Sequence, residues 1–233
     1  MREIVLDTET TGLDPNSGHR IVEIGCLELR NRVPTGETFW RYVNPERDMP
    51  TEAFEVHGLS EAFLSDKPTF VEIVEEFLAF VGDSPLVIHN AAFDMKFLNA
   101  ELKACGRPPL PMAQSVDTVQ IARSRFPGAQ ASLDALCKRF GIDNAKRTKH
   151  GALLDSELLA EVYLELMGGR QAGLELAAER GMAADTPAGA EPAAAALARE
   201  RPVRPARPHA PSAAEEAAHA AFLEKIEAPI WRR

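Results

Sequence analysis

Four carboxylates and one imidazole stand out in this sequence by type and spacing. Asp7 and Glu9 lie two residues apart, directly after the apolar triplet Ile4-Val5-Leu6. A strand has period two, so both carboxylates leave the same face. Like charges side by side at the end of a buried strand repel each other and are costly to desolvate. A cation between them relieves both problems, and hard oxygen donors select Mg²⁺ or Mn²⁺ over a metal that prefers thiolates. Further along, Asp94 follows the short run Leu86-Val87-Ile88, and His150 precedes Asp155 by five positions. Taken singly, each has an ordinary explanation. Asp7 and Glu9 fit a strand running into a solvated turn closed by Gly12 and Pro15, and Asp94 fits a helix's first turn, where the dipole favours an acid. Asp155 fits a solvated helix face beside Glu157 and Glu161, and His150 an ordinary loop. Together they read Asp-x-Glu, Asp, His-x4-Asp: oxygen donors for cations, and a base that titrates near neutrality.

These groups need a frame to bring them together. Residues 20–30 alternate imperfectly and read as a second strand; residues 38–43 read as a third, after a turn near Pro34 and Gly36. Their close succession suits an antiparallel meander. Thr51 to Gly58 predicts a short helix with Thr51 as N-cap and Gly58 as its stop. Apolar residues at 70, 73, 74, 77, 78 and 81 mark a helical face. Leu86–Ile88 is a short buried strand, residues 90–105 a helix with Phe93, Phe97, Leu98 and Leu102 on one side, and residues 115–118 another short strand. Helices follow near 132–140 and 151–167. A meander followed by strands alternating with helices predicts an α/β domain: a mixed five-stranded sheet flanked by helices.

Composition bounds the function. The chain has 233 residues, 45% of them hydrophobic, and a net charge of −9. The acidic excess lies entirely in residues 1–176, with 18 Lys and Arg against 27 Asp and Glu; residues 177–233 hold 8 of each. Tight passive binding to a phosphate backbone is therefore disfavoured. A nucleic-acid enzyme whose bound metals supply positive charge locally is not. Cys26, Cys105 and Cys137 are scattered and odd in number, which suits thiols in a reducing compartment. With no apolar run of membrane-spanning length and no basic-then-apolar leader, a cytoplasmic protein is expected. Past Gly168-Gly169 the composition changes: residues 177–233 carry 20 alanines and 7 of the 17 prolines. Three parts are expected: a domain over 1–176, an Ala/Pro-rich disordered linker over 177–211, and a terminal segment over 212–233. That segment opens with the capping box Ser212-Ala-Ala-Glu215 and continues as a short amphipathic helix. Phe222, Ile226 and Trp231 make it a docking peptide, with a loosely folded-back end as the alternative.

The motifs Asp7-Thr-Glu9-Thr-Thr-Gly12, His89-Asn90-Ala-Ala-Phe93-Asp94 and His150-Gly-Ala-Leu-Leu-Asp155 resemble those of the DEDD exonucleases in the subclass that uses histidine. The resemblance runs from Arg2 to about Leu176 and is nearest to the proofreading subunits of bacterial DNA polymerase III. It also covers Glu52-Ala-Phe-Glu-Val-His57-Gly58, Ser132-Leu-Asp-Ala-Leu-Cys137 and Lys146-Arg147-Thr-Lys149-His150. It implies a ribonuclease-H-like fold and hydrolysis of DNA from the 3′ end with two Mg²⁺ or Mn²⁺ ions about 3.5–4 Å apart. On that likeness Asp7 bridges the metals, Glu9 and Asp155 complete the coordination of the first metal, and Asp94 holds the second metal through water and the substrate phosphate. His150 takes the proton of the attacking water, with Gly151 giving it room to move. Glu52 and His57 face the terminal nucleotide, with Glu52 on its 3′ hydroxyl. Phe93 stacks on the terminal base or sugar, or else belongs to the helix-to-sheet core. Asp7, Glu9 and Asp155 then also touch substrate. Lys146, Arg147 and Lys149 fit phosphate contacts less well than an ordinary solvated basic turn.

Two partner segments follow by resemblance. Gln171, Leu174 and Leu176 are similar to a sliding-clamp-binding peptide, and the end of the tail to the segment by which proofreading subunits hold the polymerase (alpha) subunit. A small theta-like third subunit is a further possible partner. The rival readings are an RNA-trimming exonuclease of the same superfamily and a non-catalytic polymerase scaffold. The tail speaks against the first and the complete acid set against the second.

Overall fold

The computed structural model of the chain describes residues 1–145, 147, 149–169 and 211–225. The first strand, β1 (Arg2–Thr10), is the middle of a five-stranded sheet of order β3-β2-β1-β4-β5. It pairs antiparallel with β2 (Ile21–Arg30), which pairs antiparallel with β3 (Val33–Tyr42). On the other side β1 runs parallel to β4 (Leu86–Ile88), and β4 parallel to β5 (Ser115–Asp117). The central place explains the continuous apolar triplet, because both faces of β1 are covered. Ile4 and Leu6 join a core with Phe39, Phe70, Phe77 and Phe97. Val5 points the other way, into a core with Leu27, Leu136, Leu159 and Val162.

Helices cover the two faces. α1 (Thr51–His57) and α2 (Glu61–Leu64) are short. α3 (Phe70–Val81) buries Phe70, Ile73, Val74, Phe77 and Val81, the face expected from its spacing, and begins at a capping box formed by Thr69 and Glu72. α4 (Ala91–Ala104) packs on the same side. α5 (Thr118–Arg125), α6 (Leu133–Phe140) and α7 (Ala152–Leu166) supply the other core. Two buried polar contacts fix the helices that carry site residues. Arg20 donates to both carboxylate oxygens of Glu101 on α4, at 2.7 and 2.8 Å, and the Tyr163 hydroxyl of α7 donates to Glu3 at 2.8 Å. Together they hold α4 and α7 against β2 and β1.

Several local expectations need correction. Pro50, not Thr51, is the N-cap of α1: its carbonyl accepts the first helical N–H, from Phe54, and no side chain caps the end. The turn before β3 is not at Pro34 and Gly36. It is the two-residue hairpin Asn31-Arg32, with φ of 52° and 67°, so β3 begins at Val33. Pro34 is tolerated because β3 is an edge strand. α2 and α5 had no counterpart in the expected elements.

These elements belong to one compact unit, Met1–Glu175; a second comprises Leu176–Arg233. In the second unit α8 (Ala213–Leu223) starts at the expected capping box of Ser212 and Glu215 and ends before Ile226. The expected linker, except for Pro211, lies outside the described residues, as do Gln171, Leu174, Leu176, Ile226 and Trp231. Among the described residues no helix is long and apolar enough to cross a membrane.

Candidate active site

β1 and β4 end unequally, and the site begins in that difference. The Ile4 N–H reaches the Pro85 carbonyl on the β4 side, so the N–H groups of Leu6 and Thr8 point the same way by the strand's period. β4 stops at Ile88. Beyond its end, the Thr8 N–H and hydroxyl are taken by one carboxylate oxygen of Asp94, at 3.1 and 2.7 Å. Asp94 arrives from the first turn of α4, whose N-cap Asn90 has φ 69° and lets the chain turn sharply out of β4. On the opposite face, Asp7 and Glu9 point the same way as Val5, toward α7.

α7 reaches these carboxylates because β2 is bare at one point. Gly25 stands opposite Asp7 in the sheet, and a Cβ there would collide with the Ala152 carbonyl and the Leu153 nitrogen. Ser156 fastens the approach by donating its hydroxyl to the Gly25 carbonyl at 2.9 Å. The first turn of α7 therefore lies directly on the sheet and carries Asp155. His150 precedes that turn. Its N–H bonds the Val56 carbonyl at 3.2 Å, and Lys149 bonds the Glu55 carbonyl at 2.9 Å, so the loop is tied to α1. Gly151 has φ −158° and ψ 126°, a backbone any residue adopts, so its geometry does not require glycine.

Asp7, Glu9, Asp94, His150 and Asp155 line one cavity of about 340 Å³, with Thr8, His89, Phe93, Ser132, Asp134 and Arg147. One donor atom each from Glu9, His150 and Asp155 lies within 4.8 Å of the other two. Burial first, then Asp94, Glu9 and Asp155, pushes the Asp7 carboxyl well above its ordinary range. Burial and then Asp155 raise Glu9 to about 8. Burial raises Asp94 to about 7 against the opposing hydrogen bonds from Thr8. Burial also works to raise Asp155, but hydrogen bonds from Arg147 and His150 hold it below the usual value. Among the described residues Glu9 Oε1 is buried with no hydrogen-bond partner. Crowded, costly carboxylates and an orphaned oxygen fit hard divalent cations.

A second cavity of about 560 Å³ adjoins the first, sharing Thr8, Glu9 and Phe93. Its wall includes Glu52, Val56 and His57 of α1, together with Leu13 and Ala53, and is largely apolar. His57 is buried and accepts the Leu59 N–H at Nδ1, 3.0 Å away. Burial, then Lys149, lowers it to about 4, so it is neutral at neutral pH. Phe93 stands where the cavities meet and also packs on Phe97, ring centres 5.0 Å apart, so it belongs partly to the core and partly to the site.

Two residues at this site were not legible as such. Arg147, expected on a solvated turn, has a side chain only 8% exposed and grips Asp155. Glu23, inside the β2 run, is the cross-strand neighbour of Glu9 and bonds the Trp40 indole at 2.7 Å and the backbone of Ala152. Its charge between the apolar residues Val22 and Ile24 was the available signal; the register that sets it beside Glu9 was not.

A sequence profile described as Exonuclease matches residues 4–163. The chain belongs to this exonuclease family. Within it, the chain is 59% identical over 179 residues to the DNA polymerase III subunit epsilon of Rickettsia conorii, covering 76% of this chain and 78% of that one. It is 49% identical over 177 residues to the subunit of the same name from Escherichia coli K12, covering 72% of each. Among solved structures it is similar to Exonuclease X in complex with 5′ overhanging duplex DNA, with a TM-score of 0.55, 27% identity, and coverage of 70% and 90%. The nuclease domain of 3′hExo, a DEDDh family member bound to rAMP, has the same fold, with a TM-score of 0.62, 20% identity, and coverage of 71% and 91%. The chain is thus a DNA polymerase III epsilon-type exonuclease with the ribonuclease-H-like sheet, and use of divalent metal follows from that fold and its acid cluster.

Proposed function

We propose that this exonuclease removes 3′-terminal, mispaired nucleotides as 5′-mononucleotides during replicative DNA synthesis, as part of a DNA polymerase III core. The observation that carries the site assignment is the single cavity in which Asp7, Glu9, Asp94 and Asp155 converge beside His150. These four acids would hold two cations of the Mg²⁺ or Mn²⁺ type. When bound, such ions lower the pKa of a water and neutralise charge on the leaving oxygen. Asp7 would serve both ions; the strand face it shares with Glu9 and the cavity it shares with Asp94 support that reading.

The chain's own groups do the rest. His150 is 48% exposed at the rim, open to water, and accepts the nucleophile's proton as the water oxygen attacks phosphorus. The bond from phosphorus to the 3′ oxygen breaks, and that oxygen leaves with a proton from solvent. Glu52 and His57 line the neighbouring cavity and face the terminal nucleotide, with the Glu52 carboxylate accepting from its 3′ hydroxyl. That contact exists only at a chain end and so confines attack to ends. Phe93, at the junction of the cavities, stacks against the terminal base or sugar. At the edge of the catalytic domain Gln171, Leu174 and Leu176 bind a sliding clamp, and in the tail Phe222, Ile226 and Trp231 dock the polymerase alpha subunit; a theta-like subunit is a further partner. The Phe222 side chain, on α8, is 59% exposed.

The test is incubation with Mg²⁺ and 5′-end-labelled single-stranded DNA or RNA. Stepwise shortening of the DNA from its 3′ end with release of 5′-mononucleotides supports this reading; a clear preference for RNA favours the RNA-trimming alternative. His150→Ala should keep the fold and lose nearly all hydrolysis. Full activity of that variant at neutral pH would refute the base assignment.

A further inference from the structure

Arg147 grips Asp155, one of the acids that the proposed function assigns to metal. Its Nε and Nη2 donate to the two oxygens of Asp155, at 2.5 and 2.7 Å. The same Nη2 lies 2.9 Å from His150 Nδ1. Nη1 donates to Asp134, which lines the same cavity, at 2.9 Å. One guanidinium thus spans the first-metal acid, the base and an outlying acid. A fork of this kind takes one in-plane lone pair on each carboxylate oxygen, the inward-facing pair that a chelating hard cation would share, and its positive charge opposes a cation at the same carboxylate. A guanidinium is always charged, so it neutralises acid there whatever the pH.

We propose that Arg147 is a resident counter-cation: it holds Asp155 and His150 while the site lacks metal and yields Asp155 when a divalent ion binds. Asp134 is the anchor on which the guanidinium stays when it lets go. Released toward the cavity, the guanidinium faces the phosphates of the strand being cut. Metal entry and release of His150 from Arg147 are therefore one event, and a metal-free enzyme keeps its base engaged. Arg147 is a positioning residue in this scheme, acting through Asp155 and His150.

The inference rests on Asp155 being a metal ligand, and its test separates the two. Mn²⁺ binding is measured by calorimetry on the full-length chain, alongside melting temperature in chelator and in saturating Mn²⁺. Hydrogen bonds to a charged partner contribute roughly 1.5–3 kcal/mol, so removing the competing fork should tighten Mn²⁺ by about tenfold or more. Arg147→Gln is expected to bind Mn²⁺ that much tighter, to melt lower than wild type in chelator, and to melt alongside it in Mn²⁺. Arg147→Lys keeps the charge but cannot form the fork, so it too should bind tighter than wild type. Should Arg147→Gln not fold without metal, Arg147→Lys alone carries the measurement. Unchanged or weaker Mn²⁺ binding in Arg147→Lys overturns the proposal, even if Arg147→Gln binds tighter, because the effect would then be one of net charge alone. Asp155→Asn is the control: if it leaves Mn²⁺ affinity unchanged, the site assignment has failed; if it weakens binding and the Arg147 variants do not tighten it, only this inference has.

Discussion

Gly25 has no side chain to take part in the chemistry, yet replacing it should cost catalysis more than stability. A Cβ at Gly25 would fall on the Ala152 carbonyl and the Leu153 nitrogen, which are backbone atoms and cannot rotate away. Ordinary contact needs about 3.5 Å between carbons, so the start of α7 must retreat on the order of 1 Å. Asp155 sits in that first turn, three residues beyond Ala152, and moves with it; His150 sits just before it. Misplacing catalytic groups by about 1 Å lowers rates roughly 10²-fold. The folding penalty is smaller, about 1–3 kcal/mol for overpacking, or a melting temperature lower by roughly 2–4 °C per kcal/mol in a domain of this size. Gly25→Ala should therefore stay folded at 25 °C, release 5′-mononucleotides about a hundredfold more slowly, and bind Mn²⁺ more weakly. Ser156→Ala is the companion: it removes one hydrogen bond from the same junction, worth about 1 kcal/mol, without pushing the helix, so its rate should fall less than tenfold. Wild-type turnover in Gly25→Ala with a lowered melting temperature would show that the close approach serves packing alone, and the reasoning would be wrong.

Two further predictions concern the charge of the site and the tail. In metal-free protein Asp7, Glu9 and Asp94 keep protons that the unfolded chain has already given up, with Glu9 at about 8 and Asp94 at about 7. Folding is then weakened as pH rises from the ordinary carboxylate range to about 8, by at most roughly 1.4 kcal/mol per pH unit for each group. Asp155, held low, acts in the opposite sense only at more acidic pH. Melting temperature in chelator should fall between pH 5 and 8, and Mn²⁺ should flatten the curve; a flat or rising curve without metal would contradict the assigned crowding. Deleting residues 212–233 should leave hydrolysis of single-stranded DNA unchanged and abolish co-purification with the polymerase subunit; retained co-purification would overturn the docking role.

What could be read from the residues was what repeats with a period. The apolar spacing of 70–81 announced α3, and the two-apart acids announced one face of β1, because side-chain direction follows from backbone geometry alone. The short helix α5 escaped because Thr-Val-Gln-Ile-Ala-Arg-Ser-Arg presents almost no apolar stripe. The hairpin at Asn31-Arg32 escaped because Arg32 gives no hint of a left-handed backbone. Arg147 escaped for a different reason. Its neighbours Lys146 and Lys149 suggest solvent, and only the fold sets Asp155 and Asp134 on either side of its guanidinium. Local pattern carries directions, whereas a partner brought in from another element is a property of the assembled sheet.

The acid cluster also explains why an enzyme for a polyanion can be acidic itself. With no metal bound, the cavity offers phosphate a crowd of acids with only the Arg147 guanidinium against them, and the domain as a whole, these acids included, has nine more acids than bases. Bound metal would add the larger positive charge where the scissile bond must lie, beyond the one guanidinium of Arg147, so metal loading would favour substrate entry by electrostatics before any chemistry begins. Such a site grips DNA weakly, since few lysines or arginines are available to displace counterions along a strand. Retention has to come from elsewhere, and on the proposed docking of the tail a tethered partner would supply it by raising the local concentration of 3′ ends rather than by adding contacts to them.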